Sequence, residues 1–323
     1  MAATRRRRPR LVIVADPQHQ WSDSPQLGRL REHGEVALHT EAPATPDELA
    51  ARVRGAEVVV TPVRVQWTAE ALAMATNLRL LVLAATGSDS VDLAAARAQG
   101  VTVCNVPGRT APVVAEHALA LLLAVARRVV ADTVALRAGE WSPQRSVFLA
   151  GRTLGVVGTG YTGAAMARLG QAIGMDVVAW TFNPSEERAR ELGVRYVALD
   201  ELLAASDAVS LHVRMSGETR HLIGKRELGL MKPGAILVNV ARGGVVDGAA
   251  VAEALLGGRL GGFGTDVFET EPVLAGDPLL KCENAVLTPH VADNTLEGME
   301  YLNEGTVSNV AAYLAGRPVN VLN

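Results

Sequence analysis

At 323 residues the chain holds two domains of ordinary size, each large enough to bury a core of its own; a single domain of that length would be unusual. A composition that is 49% hydrophobic and poor in aromatics fits parallel strands buried on both faces and excludes a chain dominated by disorder. With 31 Lys plus Arg against 34 Asp plus Glu, the net charge of −3 gives no global pull toward nucleic acid or an anionic membrane, so any anion site has to be local.

The N-terminal run Arg5 to Arg8 is followed by no apolar stretch of signal-peptide character before Asp16, and it reads as a solvated tail. Up to residue 105, short apolar runs alternate with helical stretches. Leu11–Ala15, Val58–Val60, Leu80–Leu83 and Val101–Val103 are expected strands, with helices over 46–55, 68–76 and 91–99 between them. This βα repetition predicts a parallel sheet. Pro107-Gly108 interrupts it, and one long apolar helix is expected from about Pro112 to Val130, with the proline in its first turn. Its Leu119 to Ala126 segment ends at Arg127-Arg128, far short of the roughly 20 apolar residues a membrane span needs, and is read as a buried helix of a soluble protein.

From Thr153 a second βα series begins, with strands expected at 153–157, 177–181, 194–197, 208–212, 235–240, 262–267 and 285–287. A last helix over about 295–315 is expected to return to the first domain. The domain reading is therefore 1–105 plus 292–323 for a discontinuous outer domain and 106–291 for a second one. The two cysteines, Cys104 and Cys282, have no paired spacing, which argues against a disulfide framework or a metal site and makes a reducing cytoplasm the simplest compartment.

Within Gly151 to Gly163, a G-x-G-x-x-G of Gly158, Gly160 and Gly163 closes an apolar strand and opens a helix. In that context the first glycine permits the tight turn, the second admits a pyrophosphate to the backbone, and the third lets the helix pack on the strand. The strand after it ends not in the acid that usually binds the adenosine ribose hydroxyls but in Thr181, with Asp176 at the strand's beginning and Glu186 beyond a proline. Losing that carboxylate removes its repulsion of a 2′-phosphate, yet Thr181-Phe-Asn-Pro-Ser185 holds no arginine to attract one. The sequence therefore favours NAD over NADP, with Arg214 in His212-Val-Arg-Met215 able to reach the adenosine side.

Three further segments each put a polar residue just after a buried strand, at the edge of an open α/β sheet where ligands bind. Leu237 to Gly244 supplies Arg242, Gly264 to Pro272 supplies Glu271 (with Glu269 as a second acid), and Val286 to His290 supplies His290. Moving a hydride to a ketone carbon leaves an alkoxide that needs a proton, which an imidazolium gives near neutral pH. A neighbouring carboxylate favours that charged form, and a substrate carboxylate calls for the planar fork of arginine.

The chain at this point resembles the D-isomer-specific 2-hydroxyacid dehydrogenase family over nearly its whole length. The matching stretches are Gly87 to Asp92, Val114-Ala-Glu-His117, Gly151 to Gly163, Val238 to Asp247, Asp266 to Pro272 and Thr288-Pro-His290. The resemblance implies two Rossmann-like or flavodoxin-like domains with a cleft between them. It also implies hydride transfer between a nicotinamide cofactor and C2 of a small D-2-hydroxy or 2-oxo acid. Arg242 and His290 would bind substrate, His290 as the acid/base and Glu271 its partner, being the Glu immediately before Pro. Backbone amides around Thr86, Gly87 and Ser88 would clasp the substrate carboxylate. Cofactor contacts would come from Gly158, Thr159, Gly160, Tyr161, Thr162, Gly163, Thr181, His212, Arg214 and Ala241, with Asp266 near the nicotinamide. The resemblance also implies a homodimer.

The sequence departs from the family at Thr181, at Arg214 in place of the proline of an H-x-P segment, and at Ala292-Asp293-Asn294 in place of small, Gly-rich residues after the histidine. One alternative reading is an NAD-sensing, corepressor-like binding protein on the same fold. Another keeps the framework and changes the substrate to phosphite or a phosphonate-bearing acid, with Arg64 as the added cation.

Overall fold

A computed structural model describes residues 8–323; Arg5, Arg6 and Arg7 of the basic run lie outside the described residues. Arg8 is tied down, its guanidinium donating to the carbonyls of Arg31 and Glu32 at 2.7 and 2.6 Å. The chain forms two compact units, one running to Thr110 and resuming at Asn294, the other Ala111–Asp293.

The first unit alternates β1 (Arg10–Ile13), α1 (Gln26–His33), β2 (Glu35–Leu38), α2 (Pro46–Val53), β3 (Val58–Thr61), α3 (Ala69–Met74), β4 (Leu80–Leu83), α4 (Leu93–Ala98) and β5 (Thr102–Cys104). The strands pair in parallel in the order β2-β1-β3-β4-β5, the doubly wound order of flavodoxin-like sheets. Side chains alternate between two buried faces. Leu11, Ile13, Val58, Val60, Leu80 and Val82 pack on one side, and Val12, Val59, Leu81, Leu83 and Val103 on the other. Strands buried on both sides have no polar register, hence the unbroken apolar runs.

Neither α1 nor β2 is among the elements expected from the sequence. Glu35-Val-Ala-Leu lies at the sheet edge with none of its side chains fully buried, so nothing forces it to be apolar.

The second unit opens with α5 (Ala111–Ala126) and α6 (Val129–Arg137). The single helix expected from 112 to 130 is therefore corrected. Arg128 adopts left-handed backbone, φ 56°, which an α-helix does not continue through. α5 is buried along Ala115, Ala118, Leu121 and Leu122, whereas α6 turns Val129, Val134 and Leu136 outward.

There follow β6 (Thr153–Val157), α7 (Tyr161–Ala172), β7 (Asp176–Trp180), α8 (Glu186–Leu192), β8 (Arg195–Tyr196), α9 (Leu199–Ala205) and β9 (Ala208–Leu211). The unit closes with α10 (Lys225–Leu230), β10 (Ala235–Asn239), α11 (Gly248–Leu256), β11 (Leu260–Thr265) and β12 (Ala285–Leu287). All seven strands are parallel, ordered β12-β11-β10-β9-β6-β7-β8. Strand order reverses between β6 and β9, the switch point beyond whose carboxyl ends dinucleotides bind in such sheets.

Finally α12 (Leu296–Leu314) belongs to the first unit, where Val307 and Val310 join the core made by Leu11, Ile13 and Leu80. Among the described residues no helix is long and apolar enough to cross a membrane, and no cluster of His, Cys, Asp or Glu is arranged to hold a metal ion. Both cysteines are buried and unbridged.

Candidate active site

At the carboxyl end of β6 the three motif glycines do three different things. Gly158 has φ +92°, and a Cβ there would stand 2.9 Å from the backbone of His212 at the end of β9. A Cβ on Gly163 would fall 1.8 Å from the Gly158 carbonyl oxygen, so α7 packs against the turn only because that atom is missing. Gly160 has nothing within 4 Å of its missing Cβ, so the space in front of the α7 N-terminus is open. No side chain caps that terminus, and its first-turn amides stay available for an anion. The cradle fits a dinucleotide pyrophosphate.

Around the cradle, Thr159 is buried and its hydroxyl meets the Tyr196 hydroxyl at 2.7 Å, while Tyr161 is exposed and Thr162 half-buried. Thr181 directly follows β7, and Arg214, beyond β9, is exposed. His212 Nε2 meets Ser210 Oγ at 2.8 Å, its Nδ1 is buried with no hydrogen-bond partner, and burial pushes the imidazole down to about 3. Ala241 is buried beyond β10, its amide donating to Asn239 Oδ1 at 3.0 Å.

Beyond β10, β11 and β12 the structure brings the three acid/base and anion-binding candidates into one electrostatic neighbourhood. His290 Nδ1 and Glu271 Oε2 are 2.6 Å apart, and the Phe268 amide donates to the other carboxylate oxygen at 3.0 Å. Burial works against ionisation of Glu271. The hydrogen bonds from His290 and Phe268, with the charges of His290 and Arg242, outweigh it and hold the carboxyl below the usual range. Glu269, the other acid of the segment, points elsewhere, accepting from Arg220 at 2.5 Å and meeting His221 at 3.2 Å. His290 itself has left-handed backbone, φ 55°, a conformation non-glycine residues hold at a cost.

Arg242 is set by its own loop. Asn239, fully buried, donates from Nδ2 to the Arg242 carbonyl at 2.9 Å, and Arg242 Nη1 donates to the Ala241 carbonyl at 2.9 Å. Gly243 then presses on the backbone that leads to Glu271, since a Cβ at 243 would lie 1.9 Å from the Phe268 carbonyl carbon.

Asp266 is placed as the organiser of the histidine segment. Its buried carboxylate accepts from the Thr288 hydroxyl at 2.6 Å and from the amides of Val291 and Ala292 at 2.9 and 2.8 Å, bracketing His290. His117 on α5 completes the group, 2.9 Å from Thr288 Oγ1 and 3.6 Å from Asp266. Sequence reasoning assigns His117 and Thr288 no role. They sit 171 residues apart, and only the packing of α5 beside β11 and β12 joins them.

Asp293, one of the departures from the family, carries a carboxyl raised above the usual range. Burial is the main cause and Asp266 adds to it, while His290 and Arg242 pull the other way. Thr86, Gly87 and Ser88 follow β4 in the first unit, where Thr86 donates its hydroxyl to the Val106 carbonyl at 3.0 Å and its carbonyl accepts from Asn105 at 2.6 Å.

Comparison with known proteins identifies the family. Residues 119–292 match the family model described as the NAD binding domain of D-isomer specific 2-hydroxyacid dehydrogenase. The chain is 40% identical over 305 residues to a glyoxylate reductase of Korarchaeum cryptofilum, covering 92% of each protein. It is 38% identical to a glycerate dehydrogenase of Methylorubrum extorquens, covering 87% of this chain and 90% of that one. Among solved structures, the TT0316 protein of Thermus thermophilus superposes with a TM-score of 0.87 at 39% identity, covering 97% of this chain and 99% of its own. A glycine turn at the switch point and a histidine backed by a carboxylate thus occur in a chain that belongs to the D-isomer specific 2-hydroxyacid dehydrogenase family, a nicotinamide-dependent oxidoreductase acting on a CH–OH group.

Proposed function

We propose that the protein interconverts a small 2-oxo acid of the glyoxylate or hydroxypyruvate kind and its D-2-hydroxy acid, with His290 as acid/base, Glu271 as its partner and Arg242 as the carboxylate anchor. The observation that carries this is the 2.6 Å contact between His290 and Glu271 within electrostatic reach of Arg242. The turn of Gly158, Gly160 and Gly163 would hold the dinucleotide, whose nicotinamide would supply hydride chemistry at C2. His290, charged, donates a proton to the C2 oxygen during reduction and takes it back during oxidation. Glu271 holds the ring by Nδ1, which leaves Nε2 as the nitrogen that faces the reacting oxygen. Arg242 pairs with the substrate carboxylate through two parallel N–H donors, fixing which face of C2 is presented. The names of the relatives, a glyoxylate reductase and a glycerate dehydrogenase, support a substrate with a short side chain.

Steady-state oxidation of NADH and NADPH with glyoxylate, hydroxypyruvate, pyruvate and bulkier 2-oxo acids tests the reading. Turnover is expected with at least one of the first two; tight nucleotide binding with no turnover on any acid would replace the enzyme with a nucleotide-sensing regulator. A second expectation concerns the acid beside the histidine. Glu271→Gln takes away the carboxylate that holds the His290 ring by Nδ1 and should lower kcat for reduction by at least about ten-fold, part of the roughly 10²–10⁴ that a positioned general acid supplies. Unchanged turnover would show that Glu271 is not the partner of His290.

A further inference from the structure

The cofactor half of this reading leaves open which dinucleotide the chain takes, and one arginine beside the glycine turn bears on it. In a dinucleotide-binding sheet the adenosine ribose lies at the end of the second strand, and the turn after the first strand holds the adjoining pyrophosphate. Here those places are Thr181 after β7 and Thr159 in the turn. Arg188 on α8 reaches back to the turn: its Nη2 donates to the Thr159 carbonyl at 3.4 Å, and Nη1 donates to Glu191 at 2.9 Å. Its own amide is fixed to Ser185 Oγ at 3.0 Å, which anchors the start of α8. The sequence window 181–185 contains no cation because the relevant one lies three residues further on, on the first turns of a helix that folds it back.

We propose that Arg188, with Thr181 at the end of β7, forms the subsite for a phosphate monoester on the adenosine ribose, so that the protein prefers NADP(H) to NAD(H). The proposal rests on the cofactor site described above, not on the identity of the acid substrate. Three features support it. No carboxylate stands at the end of β7, so NAD lacks the acceptor that usually holds its ribose hydroxyls, and a 2′-phosphate meets no repulsion there. A guanidinium offers a phosphate two parallel charged N–H donors. The 3.4 Å contact of Nη2 with Thr159 is long for a hydrogen bond, so exchanging it for a phosphate oxygen gives up little. The charges opposing the subsite are Glu191, which also meets Arg168 at 3.4 Å, and the exposed Glu186 and Glu187 at the start of α8. Glu191 divides itself between two arginines and does not neutralise Arg188 alone.

The test is binding, measured on the full-length protein by calorimetry with 2′,5′-ADP against 5′-AMP, and by quenching or enhancement of NADPH and NADH fluorescence. Wild type is expected to bind the 2′-phosphorylated ligand at least about ten-fold tighter in each pair. Arg188→Ala should lower the ratio of NADPH to NADH affinity by at least about ten-fold, and Thr181→Asp should lower it by a similar factor through charge repulsion. Equal or tighter binding of NADH by wild type, or a ratio unmoved by Arg188→Ala, overturns the proposal. Because no turnover is involved, a protein that binds 2′,5′-ADP as expected yet reduces no 2-oxo acid would sink the enzymatic reading and leave this one standing.

Discussion

His290→Ala and Arg242→Ala are each expected to lower kcat/KM for 2-oxo acid reduction by at least about 10²-fold, for different reasons that kinetics can separate. Removing a positioned general acid leaves the developing alkoxide to take its proton from water, a loss commonly of about 10² to 10⁴. Because the proton moves in the transition state, the fall belongs in kcat. Arg242 acts earlier, in binding and orienting the substrate carboxylate, so Arg242→Ala should raise KM as well as lower kcat. Arg242→Lys should recover only part of the loss, since an ammonium keeps the charge without the planar fork. Near-wild-type turnover in both alanine variants would remove these residues from the chemistry, and the proposed mechanism with them.

Gly243→Ala should disable the enzyme although the residue carries no functional group. The added Cβ would lie 1.9 Å from the Phe268 carbonyl carbon, 2.1 Å from its oxygen and 2.2 Å from the Glu269 amide nitrogen. Those are backbone atoms, so no side-chain rotation relieves the overlap. The loop that carries Arg242 and the loop that carries Glu271 must move apart by about an ångström or more, and a misplacement of that size costs about 10² in rate. Forced overpacking typically costs about 1–3 kcal/mol, which in a chain of this size lowers the melting temperature by several degrees. Gly229→Ala is the control: it sits in α10 with nothing within 4 Å of the added atom, and alanine there should leave stability unchanged or raise it. A Gly243→Ala enzyme with wild-type kcat/KM would show that the two loops tolerate separation.

How far the sequence reveals this site depends on how local each part is. The glycine turn is legible because strand, turn and helix follow one another within residues 151–163, and each glycine answers a local steric demand. The inner strands of the second unit are legible because burial on both faces leaves them largely apolar, as in Ala235 to Val238. Edge strand β2 is not, because half-exposed Glu35 to Leu38 satisfies no periodic pattern. Nor is the break in the long helix, since nothing in Ala126-Arg127-Arg128-Val129 distinguishes an arginine that turns left-handed from one that stays helical. Grouping of His117 with Asp266 and Thr288 needs three segments brought together by the sheet, and the reach of Arg188 back to Thr159 needs a helix whose direction the sequence does not state.

His212 stands where β9 ends, at the carboxyl edge of the larger sheet. Dry surroundings keep His212 uncharged wherever the protein is folded at ordinary pH. An uncharged ring whose Nε2 rests on a rotatable serine hydroxyl can swap tautomers, turning its solitary inward nitrogen from acceptor to donor without importing any charge. Packed against Gly158 and Gly163, His212 serves as an uncharged strut beneath the first turn.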